Sequence, residues 1–319
     1  MPLGEFALIS RYFTRSSSSA TLGIGDDAAL LAPSPGKVLA VSTDMLVSGR
    51  HFFDDADPYL LGRKSLAVNL SDMAAMGALP RWVTLSLALP EADEAWLAQF
   101  ANGFFSIADE YKVELVGGDT TRGPLTICVQ IMGETNTELA LRRDGARVGD
   151  TIWVSGELGA AALVLLHLRN KILLPSDALA RCASRLHDPT PRVVLGLALQ
   201  GIAGSAIDIS DGLIGDLGHI LQQSKVGAAI RLPDVPCAKD LVPHLAQSWG
   251  QQALLAGGDD YELCFTALPQ QTGAIEAVSR KIGLALAPIG KIVAGSGLII
   301  RDQSGNSLNA DYQSFDHFG

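Results

Sequence analysis

Residues 23–31 read Gly-Ile-Gly-Asp-Asp-Ala-Ala-Leu-Leu, in which two adjacent carboxylates lie between a flexible Gly-x-Gly and an apolar run. Residues 23–28 formally satisfy the Gly-x-Gly-x-x-Gly/Ala fingerprint of dinucleotide-binding folds, which requires a strand before it and a helix after it. The preceding residues 15–21 contain a run of serines and no apolar strand. Asp26 and Asp27 would also repel each other, and a pyrophosphate, unless a cation lies between them. We therefore reject a Rossmann fold and predict that this stretch is one arm of a metal site.

The composition is that of an acidic globular protein. Of 319 residues, 48% are hydrophobic and 18% are charged, which excludes a disordered chain and is enough for one large or two medium domains. The net charge of −10 argues against a nucleic-acid surface, which would be basic, but not against phosphate substrates that arrive with magnesium. No apolar run approaches the ~20 residues of a membrane helix, and the N-terminus lacks a signal-peptide layout. The four scattered cysteines form no Cys-x-x-Cys pair, so we expect reduced thiols in the cytoplasm.

The hydrophobic pattern predicts an α/β domain over residues 1–140 and a second domain over residues 141–319, with the boundary in the polar stretch 142–150. In the first domain we predict helices at 3–13, 58–76 and 91–111, strands at 38–41, 82–89, 113–116 and 125–132, and a mobile loop at the serines 16–19. In the second we predict strands at 151–156, 206–212, 226–231, 261–267, 286–293 and 298–301, and helices at 159–169, 176–185, 191–201 and 270–282, with a helix of about 12 residues after Gly212.

Aspartates recur where predicted strands end or glycines turn. A further one, Asp72, lies among apolar residues of the helix 58–76, whose Leu66, Leu70 and Met73 we expect to be buried. A buried unpaired carboxylate costs several kcal/mol, so each needs a partner or a cation. Carboxylate and hydroxyl oxygens without Cys or His clusters favour Mg²⁺ over Zn²⁺. The candidate carboxylates are Asp26, Asp27, Asp44, Asp72, Asp119, Asp208, Asp211, Asp259 and Asp260, and Ser42, Thr43 and Ser210 would add hydroxyl ligands.

Each stretch alone has a simpler interpretation. A lone Gly-Asp is usually a turn, Asp211 could cap the following helix, and Asp259 could belong to a solvated turn. Asp72 has no such alternative. One acidic stretch alone is a weak signal, but all of them together indicate a site. The chain lacks a Gly-x-x-x-x-Gly-Lys-Ser/Thr loop, a protein-kinase catalytic loop, a Gly-x-Ser-x-Gly elbow and a His-Glu-x-x-His motif. The interpretation that remains is phosphate chemistry supported by clustered metal ions.

Seven blocks of this sequence, in register over nearly the whole chain, resemble the thiamine-monophosphate kinase family. They are Gly-Ile-Gly-Asp-Asp-Ala (23–28), Ser-Thr-Asp-Met-Leu-Val (42–47), Lys-Ser-Leu-Ala-Val-Asn-Leu-Ser-Asp-Met-Ala-Ala-Met-Gly-Ala (64–78), Gly-Gly-Asp-Thr-Thr-Arg-Gly (117–123), His-Asp-Pro-Thr-Pro-Arg (187–192), Ala-Ile-Asp-Ile-Ser-Asp-Gly-Leu (206–213) and Gly-Gly-Asp-Asp-Tyr-Glu-Leu-Cys-Phe (257–265). The resemblance implies a two-domain α/β (α+β) fold shared with aminoimidazole ribonucleotide synthetase, in which N-terminal sheets of two chains pair across a homodimer. It also implies ATP-dependent phosphorylation of thiamine monophosphate to thiamine diphosphate.

The resemblance also implies roles for individual residues. Asp72, Asp119 and Asp211 would be catalytic, and Asp26 would neighbour the magnesium set. Arg143 fits a phosphate contact because a guanidinium forks onto phosphate oxygens. The resemblance implies several magnesium ions, with the ligands Asp27, Ser42, Thr43, Asp44, Asp72, Asp119, Asp208 and Asp211. The implied ATP contacts are Gly118, Asp119, Arg143 and Ser210. The implied substrate contacts are His51, Asp259 and Phe315.

Two departures from the family pattern concern the substrate contacts. The family usually has Glu where this chain has Asp259, and an aromatic phenol near the C-terminus where it has Phe315. Within the same fold, an amidine-forming synthetase or a selenophosphate synthetase is the alternative enzyme; the latter usually needs a reactive Cys or selenocysteine near the N-terminus, and the first cysteine here is Cys128. A non-catalytic metal-nucleotide binding module is the third alternative, and would be expected to have lost some of the acids.

Overall fold

The computed structural model describes residues 4–308 and residue 312. The described chain divides into two units: one comprises the residues up to Met73 together with Ala78–Glu138, and the other comprises Ala74–Gly77 and the residues from Leu139 onwards. Each unit contains helices and its own mixed sheet, as the two-domain α/β prediction requires. None of the helices in the described part of the chain is long and apolar enough to cross a membrane.

The first unit is built on a four-stranded sheet. Its elements are α1 (Glu5–Leu8), a π-helical turn (Ile9–Phe13), β1 (Val38–Val47), α2 (Pro58–Ala75), β2 (Leu79–Leu89), α3 (Glu94–Tyr111), β3 (Glu114–Arg122) and β4 (Thr126–Thr135). The strand order is β1-β4-β2-β3, so β1 and β3 are the two outer strands. β2 and β3 are parallel, whereas β4 is antiparallel to both β1 and β2.

Helix α2 covers one face of this sheet. Leu66, Leu70 and Met73 of α2 are at most 1% exposed, as the helical spacing predicts. Met73 lies directly over Gly133 of β4, where a Cβ would approach its sulfur to 2.6 Å. Along β2, residues alternate between this buried face and the opposite, more open one. Side chains of β1 and β4 that share a face with Gly133 therefore point toward α2.

Two predicted strand ends in the first unit are wrong. Ser42, Thr43 and Asp44 do not end a strand but lie in the middle of β1, which pairs with β4 over its whole length. The strand is also not buried: Val41 and Met45 are 56% and 55% exposed, because β1 is an outer strand with one face open. β3 likewise continues through the glycines and Asp119 to Arg122.

The second unit is built on a six-stranded sheet with the order β10-β7-β9-β5-β8-β6, in which only β10 and β7 are parallel neighbours. Its elements are β5 (Thr151–Ser155), α4 (Ala160–Leu168), α5 (Ser176–His187), α6 (Val193–Ala198), β6 (Ser205–Asp208), α7 (Leu213–Ser224), β7 (Gly227–Arg231), α8 (Ser248–Leu255), β8 (Leu263–Ala267), α9 (Thr272–Ile282), β9 (Leu286–Val293) and β10 (Gly297–Arg301), with 3-10 turns at Leu232–Asp234, Val242–His244 and Pro269–Gln271.

The sequence interpretation of the second unit differs from the structure at four elements, one of which is β6, which ends at Asp208 rather than at 212. Helix α8 was not predicted, β8 begins at Leu263 rather than at 261, and α6 is shorter than the predicted helix 191–201. Strand β8 starts late because residues 256–262 form an irregular segment, in which the N–H groups of Asp259 and Tyr261 donate to the turn after β6. The predicted 12-residue helix after Gly212 is confirmed as α7.

Candidate functional site

In the first unit, the structure brings one hydroxyl and one carboxylate of the candidate set into direct contact. Ser42 Oγ on β1 donates a hydrogen bond of 2.5 Å to Asp72 Oδ2 on α2. Asp44 lies two residues further along β1 and therefore faces the same side of the sheet as Ser42. Oxygen atoms from a strand and from the helix that covers it thus face one another at this point, which explains why an acid is tolerated among the apolar residues of α2.

Thr43 and Asp119 lie on the opposite, open face of this sheet. Thr43 is paired with Gln130, whose side-chain amide donates to Thr43 Oγ1 at 3.4 Å. Asp119 is paired with Ser86, and both are exposed, whereas the flanking Leu85 and Leu87 of β2 are buried on the side of α2. The candidate ligands of the first unit are therefore divided between two faces and two outer strands.

Gly118 precedes Asp119 at a point where β3 approaches β2 very closely. Its φ is +150°, and a Cβ at this position would lie 1.8 Å from the carbonyl oxygen of Leu85. Any larger residue would push β3 away from β2 and move Asp119 with it. The glycine of this Gly-Gly-Asp motif is thus required by the strand pairing itself.

Asp26 and Asp27 lie at the tip of residues 22–30, a segment we call the acidic loop, whose ends Leu22 and Leu30 pair with each other. Both aspartates are exposed. Asp26 Oδ1 accepts the backbone N–H of Asp27 at 2.9 Å, so Asp26 orients the backbone next to its neighbour.

His51, an expected substrate contact, lies in the turn that follows β1. Its ring atom Nδ1 accepts the backbone N–H of Val47 at 3.0 Å. The backbone N–H of His51 donates to the carbonyl of Val47 at 3.0 Å. The ring orientation is therefore set by the end of β1.

In the second unit, Asp208 ends β6 and is followed by the turn that contains Ser210 and Asp211. A residue that sequence reasoning missed, Asp216 of α7, holds this turn: its Oδ2 accepts the backbone N–H groups of Ser210, Asp211 and Gly212 at 3.0, 3.1 and 3.1 Å. Asp211 is not the cap of α7, because the N-cap residue of this helix is Gly212.

Burial and the nearby Asp208 carboxylate raise the pKa of Asp216 to about 8. Asp208 is itself 5% exposed and Asp216 is 3% exposed. Two buried carboxylates repel each other unless a proton or a cation compensates the charge. Burial beside Asp208 therefore disfavours the charged form of Asp216.

The turn after β6 is interlocked with residues 256–262. The N–H of Asp259 donates to the carbonyl of Ser210 at 2.8 Å, and the N–H of Tyr261 donates to the carbonyl of Ile209 at 2.8 Å. A Cβ on Gly258 would lie 2.5 Å from the same Ser210 carbonyl oxygen. The expected nucleotide contact Ser210 and the expected substrate contact Asp259 are thus held side by side.

The three acids of residues 257–262 have different environments. Asp259 is half-buried in a left-handed conformation, with φ of 67°, and its Oδ1 accepts the phenol of Tyr261 at 3.2 Å. Both carboxylate oxygens of Asp260 accept the N–H of Gly159 at the start of α4, at 3.0 and 2.9 Å, and complete burial raises the pKa of Asp260. Asp260 therefore serves the start of α4, and Asp259 is the partly exposed acid of residues 257–262.

The third acid, Glu262, is fully buried in an ion-pair network. Arg192 binds it through both Nε, at 2.6 Å, and a terminal nitrogen. Arg185 Nη1 lies 3.3 Å from Oε1, and Ser155 Oγ donates to Oε2 at 2.6 Å. The His-Asp-Pro-Thr-Pro-Arg block therefore contributes its arginine to the fold beneath residues 256–262.

The remaining expected contacts are Arg143 and Phe315. Arg143 is exposed, and its neighbour Arg142 accepts the N–H of Ala206 through its backbone carbonyl at 3.1 Å, which places Arg143 beside β6. Phe315 lies outside the described residues.

These residues fit magnesium held in the open manner that phosphate enzymes use. Among residues 4–308 and 312, no three His, Cys, Asp or Glu side chains converge into a ready-made metal cage. Mg²⁺ does not require one, since it commonly keeps several waters and binds through one or two carboxylates plus substrate phosphates. The oxygen atoms of Ser42 and Asp72 are donors of the kind that such an ion takes.

The chain is similar to proteins of a known family. Residues 25–135 match the N-terminal domain, and residues 147–303 the C-terminal domain, of the AIR synthase related protein family. A thiamine-monophosphate kinase of Escherichia coli (strain K12) is 45% identical over 324 aligned residues, covering 100% of this chain and 99% of that protein. The chain belongs to the thiamine-monophosphate kinase family.

Solved structures of the family agree with the fold. A crystal structure of thiamine-monophosphate kinase from Stenotrophomonas maltophilia K279a has a TM-score of 0.84 at 44% identity, covering 94% of this chain and 95% of that one. The structure described as AaThiL complexed with AMPPCP and TMP has a TM-score of 0.78 at 30% identity, covering 90% and 89%. The predicted family membership and two-domain fold are thereby confirmed.

The residues that sequence reasoning missed are those that support the candidate ligands. Asp216, Glu262 and Glu114 all bind backbone or side-chain donors close to the family motifs. A signal existed for Asp216 alone, as an acid in the first turn of a helix that follows a loop rich in backbone donors. The partners of the others are at least 70 residues away in sequence, so no local pattern reveals them.

Proposed function

We propose that this protein phosphorylates thiamine monophosphate to thiamine diphosphate with ATP. The observation that carries the proposal is the interlocking of the turn 208–212 with residues 256–262, which holds Ser210 and Asp211 beside Asp259. We infer that this arrangement would provide one wall for the phosphates and one for the thiamine moiety. Full-length identity of 45% to a curated thiamine-monophosphate kinase supports the same conclusion.

Several magnesium ions would be held by oxygen donors of both units. When bound, they would neutralise the phosphate charges that otherwise oppose transfer between two anions. In the first unit the proposed ligands are Asp27, Ser42, Thr43, Asp44, Asp72 and Asp119, and in the second they are Asp208 and Asp211. Asp72, Asp119 and Asp211 are the proposed catalytic members of this set.

The chain's own residues would bind and orient the two substrates. Gly118, Asp119, Arg143 and Ser210 are the proposed ATP contacts. The exposed guanidinium of Arg143 suits bidentate contact with phosphate oxygens. His51, Asp259 and Phe315 are the proposed contacts of the thiamine moiety, whose fixed positive charge the Asp259 carboxylate would attract.

We propose that the phosphoryl group moves directly from ATP to the phosphate oxygen of thiamine monophosphate. Ser42 donates to Asp72 at 2.5 Å, but both are proposed magnesium ligands, so we assign neither of them the role of a covalent nucleophile. The protein should therefore stay unlabelled when incubated with γ-labelled ATP in the absence of thiamine monophosphate. Stable label on the protein, or ping-pong kinetics, would contradict direct transfer.

A homodimer completes the proposal. The open face of the first sheet exposes apolar side chains at Leu39, Val41 and Met45 of the outer strand β1. Exposed apolar patches of this kind commonly mark interaction surfaces, and two-fold dimers are the commonest oligomers. Sedimentation at micromolar concentration should give about twice the chain mass of 33.5 kDa, and a clean monomer would contradict this assignment.

The deciding experiment measures thiamine diphosphate formed from ATP and thiamine monophosphate with and without magnesium. Asp72→Asn should reduce this activity at least 100-fold, about 2.7 kcal/mol, because its carboxylate is a proposed magnesium ligand. Asp55→Asn, an exposed aspartate of the same unit, is the matched control and should be fully active. A magnesium-independent activity, or an active Asp72→Asn protein, would overturn the proposal.

A further inference from the structure

The acidic loop is closed at its base by backbone hydrogen bonds. The N–H groups of Thr21 and Leu22 donate to the carbonyl of Leu30 at 2.9 and 3.2 Å, and the N–H of Leu30 donates to the carbonyl of Leu22 at 2.9 Å. Three apolar residues lie beside this base, namely Ala20, Ala29 and Leu31. They pack against Trp82, Val116 and Met132 of the sheet. The position of Asp26 and Asp27 therefore depends on how the chain is attached on either side of the loop.

On the incoming side, three consecutive serines bind one carboxylate. The Glu114 side chain accepts the hydroxyl of Ser17, the N–H and hydroxyl of Ser18 at 2.9 and 2.6 Å, and the N–H and hydroxyl of Ser19 at 3.0 and 2.7 Å. Trp82 Nε1 donates to the hydroxyl of Ser19 at 2.9 Å. The serine run, expected to be a mobile loop, is thus anchored to β3.

On the C-terminal side of the acidic loop, a second glutamate binds the chain to the sheet. Glu134 accepts the N–H of Ser34 through Oε1 at 2.7 Å and the hydroxyl of Ser34 through Oε2 at 3.0 Å. Glu134 is only 6% exposed, so its carboxylate is well shielded from competing water.

The two glutamates lie at the same end of the sheet. In the strand register Glu114 is opposite Trp82 near the start of β2, and Glu134 is opposite Leu79, at the first residue of β2. The chain therefore enters the acidic loop over one carboxylate, packs its base on Trp82, and leaves over the other. Both attachments are made by side chains that belong to the rigid sheet.

We propose that Glu114 and Glu134 form a glutamate clamp that positions Asp26 and Asp27 for metal binding without touching the metal. This inference rests on the proposed magnesium role of the acidic loop. A loop that is already ordered binds its ion without a further loss of conformational freedom, whereas a released segment must be ordered when the ion binds. The glutamates are therefore positioning residues, and their loss should appear as weaker metal binding rather than as a broken fold.

The test measures Mn²⁺ alone, as a spectroscopic substitute for Mg²⁺, by the electron paramagnetic resonance signal of the free ion. Glu114→Ala and Glu134→Ala should each weaken the tightest Mn²⁺ binding about tenfold, the size of effect seen when groups that orient metal ligands are removed. Glu114→Gln, which keeps a hydrogen-bond acceptor and the side-chain length, should restore most of the affinity. Glu110→Ala, an exposed glutamate on α3 whose partner is Arg63, is the matched control and should bind Mn²⁺ as the wild type does.

Hydrogen–deuterium exchange on the same proteins locates the effect. Residues 17–34 should exchange faster in the alanine variants, while the strands of the first sheet keep their protection. Unchanged Mn²⁺ affinity in both alanine variants, with faster exchange, would overturn the proposal and leave the clamp a purely structural feature. Slow exchange in the alanine variants would overturn it too. Neither measurement uses catalysis, so an inactive wild-type protein would count against the proposed kinase function and not against the clamp.

Discussion

The acidic residues of the two units differ in what surrounds them. In the first unit Asp26, Asp27 and Asp119 are exposed, and their backbone is held in place by other groups. In the second unit Asp260 and Glu262 are buried, and their oxygens accept hydrogen bonds from the protein. The difference teaches that an acid-rich motif contains two kinds of carboxylate, those that hold the site and those left open for an ion or substrate. Substituting them should therefore damage different properties.

The largest effect expected from this comparison is on stability, at Glu262. Glu262→Ala would leave Arg192 and Arg185 facing an empty buried position, which should lower the free energy of unfolding by about 3–5 kcal/mol. Urea denaturation measures the change. Glu276→Ala, an exposed glutamate of α9 whose oxygen lies 3.9 Å from Arg280, is the control and should change the value by less than about 0.5 kcal/mol. Equal losses in the two variants would remove the distinction between buried and open acids.

The contrast between supporting and open acids marks where sequence reasoning succeeded. Apolar spacing identified the buried face of α2, and the motif blocks identified the family, because both signals are local. It failed where long-range pairing decides the outcome. The prediction that β1 ends at Ser42 overlooked pairing with β4 across the whole strand, and the serine run looked mobile because its partner Glu114 is 97 residues from Ser17. Asp216 is the intermediate case, with its partners four to six residues away.

Asp216 sharpens the comparison because it is a buried acid that supports proposed open ones. Asp216→Ala would leave the N–H groups of Ser210, Asp211 and Gly212 without their acceptor, which should cost about 2 kcal/mol of stability and also lower kcat. Asp216→Asn keeps an acceptor oxygen and should lose less of both. Asp177→Ala, an exposed aspartate of α5, is the control for loss of one carboxylate. If Asp216→Ala kept full kcat in spite of lower stability, the turn would not need this support for activity.

Among the acids of residues 257–262, Asp259 is the proposed open one, so its loss should affect binding and not stability. Asp259→Ala should raise the KM for thiamine monophosphate about tenfold, equivalent to about 1.4 kcal/mol, and leave the KM for ATP unchanged. Asp259→Asn is the better-matched variant, because Asn tolerates the left-handed φ of 67° while removing the charge. Steady-state kinetics with each substrate varied in turn separates the two constants. An equal rise in both, or a loss of stability alone, would place Asp259 with the supporting acids.

Glu114 should give the smallest effect, and its pH dependence separates it from an ordinary surface acid. Partial burial raises the pKa of Glu114, but hydrogen bonds from Ser17, Ser18 and Ser19 outweigh burial and hold the pKa well below its usual range. A carboxyl whose pKa is lowered on folding adds stability that is present above its unfolded pKa, about 4.3, and is lost as the pH falls toward the folded value. The wild type should thus exceed Glu114→Gln in free energy of unfolding at pH 7 by no more than about 1 kcal/mol, because the side chain is only partly shielded from water.

That advantage of the wild type over Glu114→Gln should persist down to about pH 4.3 and shrink below it, because the unfolded chain then takes up a proton at Glu114 while the folded carboxylate stays ionised. Urea denaturation from pH 7 to pH 3 measures the trend, and Glu110→Gln, whose side chain is 53% exposed, should show little difference from the wild type at any pH in this range. A constant difference for Glu114→Gln would mean that the serines bind the amide as well as the carboxylate. The charge of Glu114 would then contribute nothing to holding residues 17–19 against the sheet, and the clamp would depend on shape and hydrogen bonding alone.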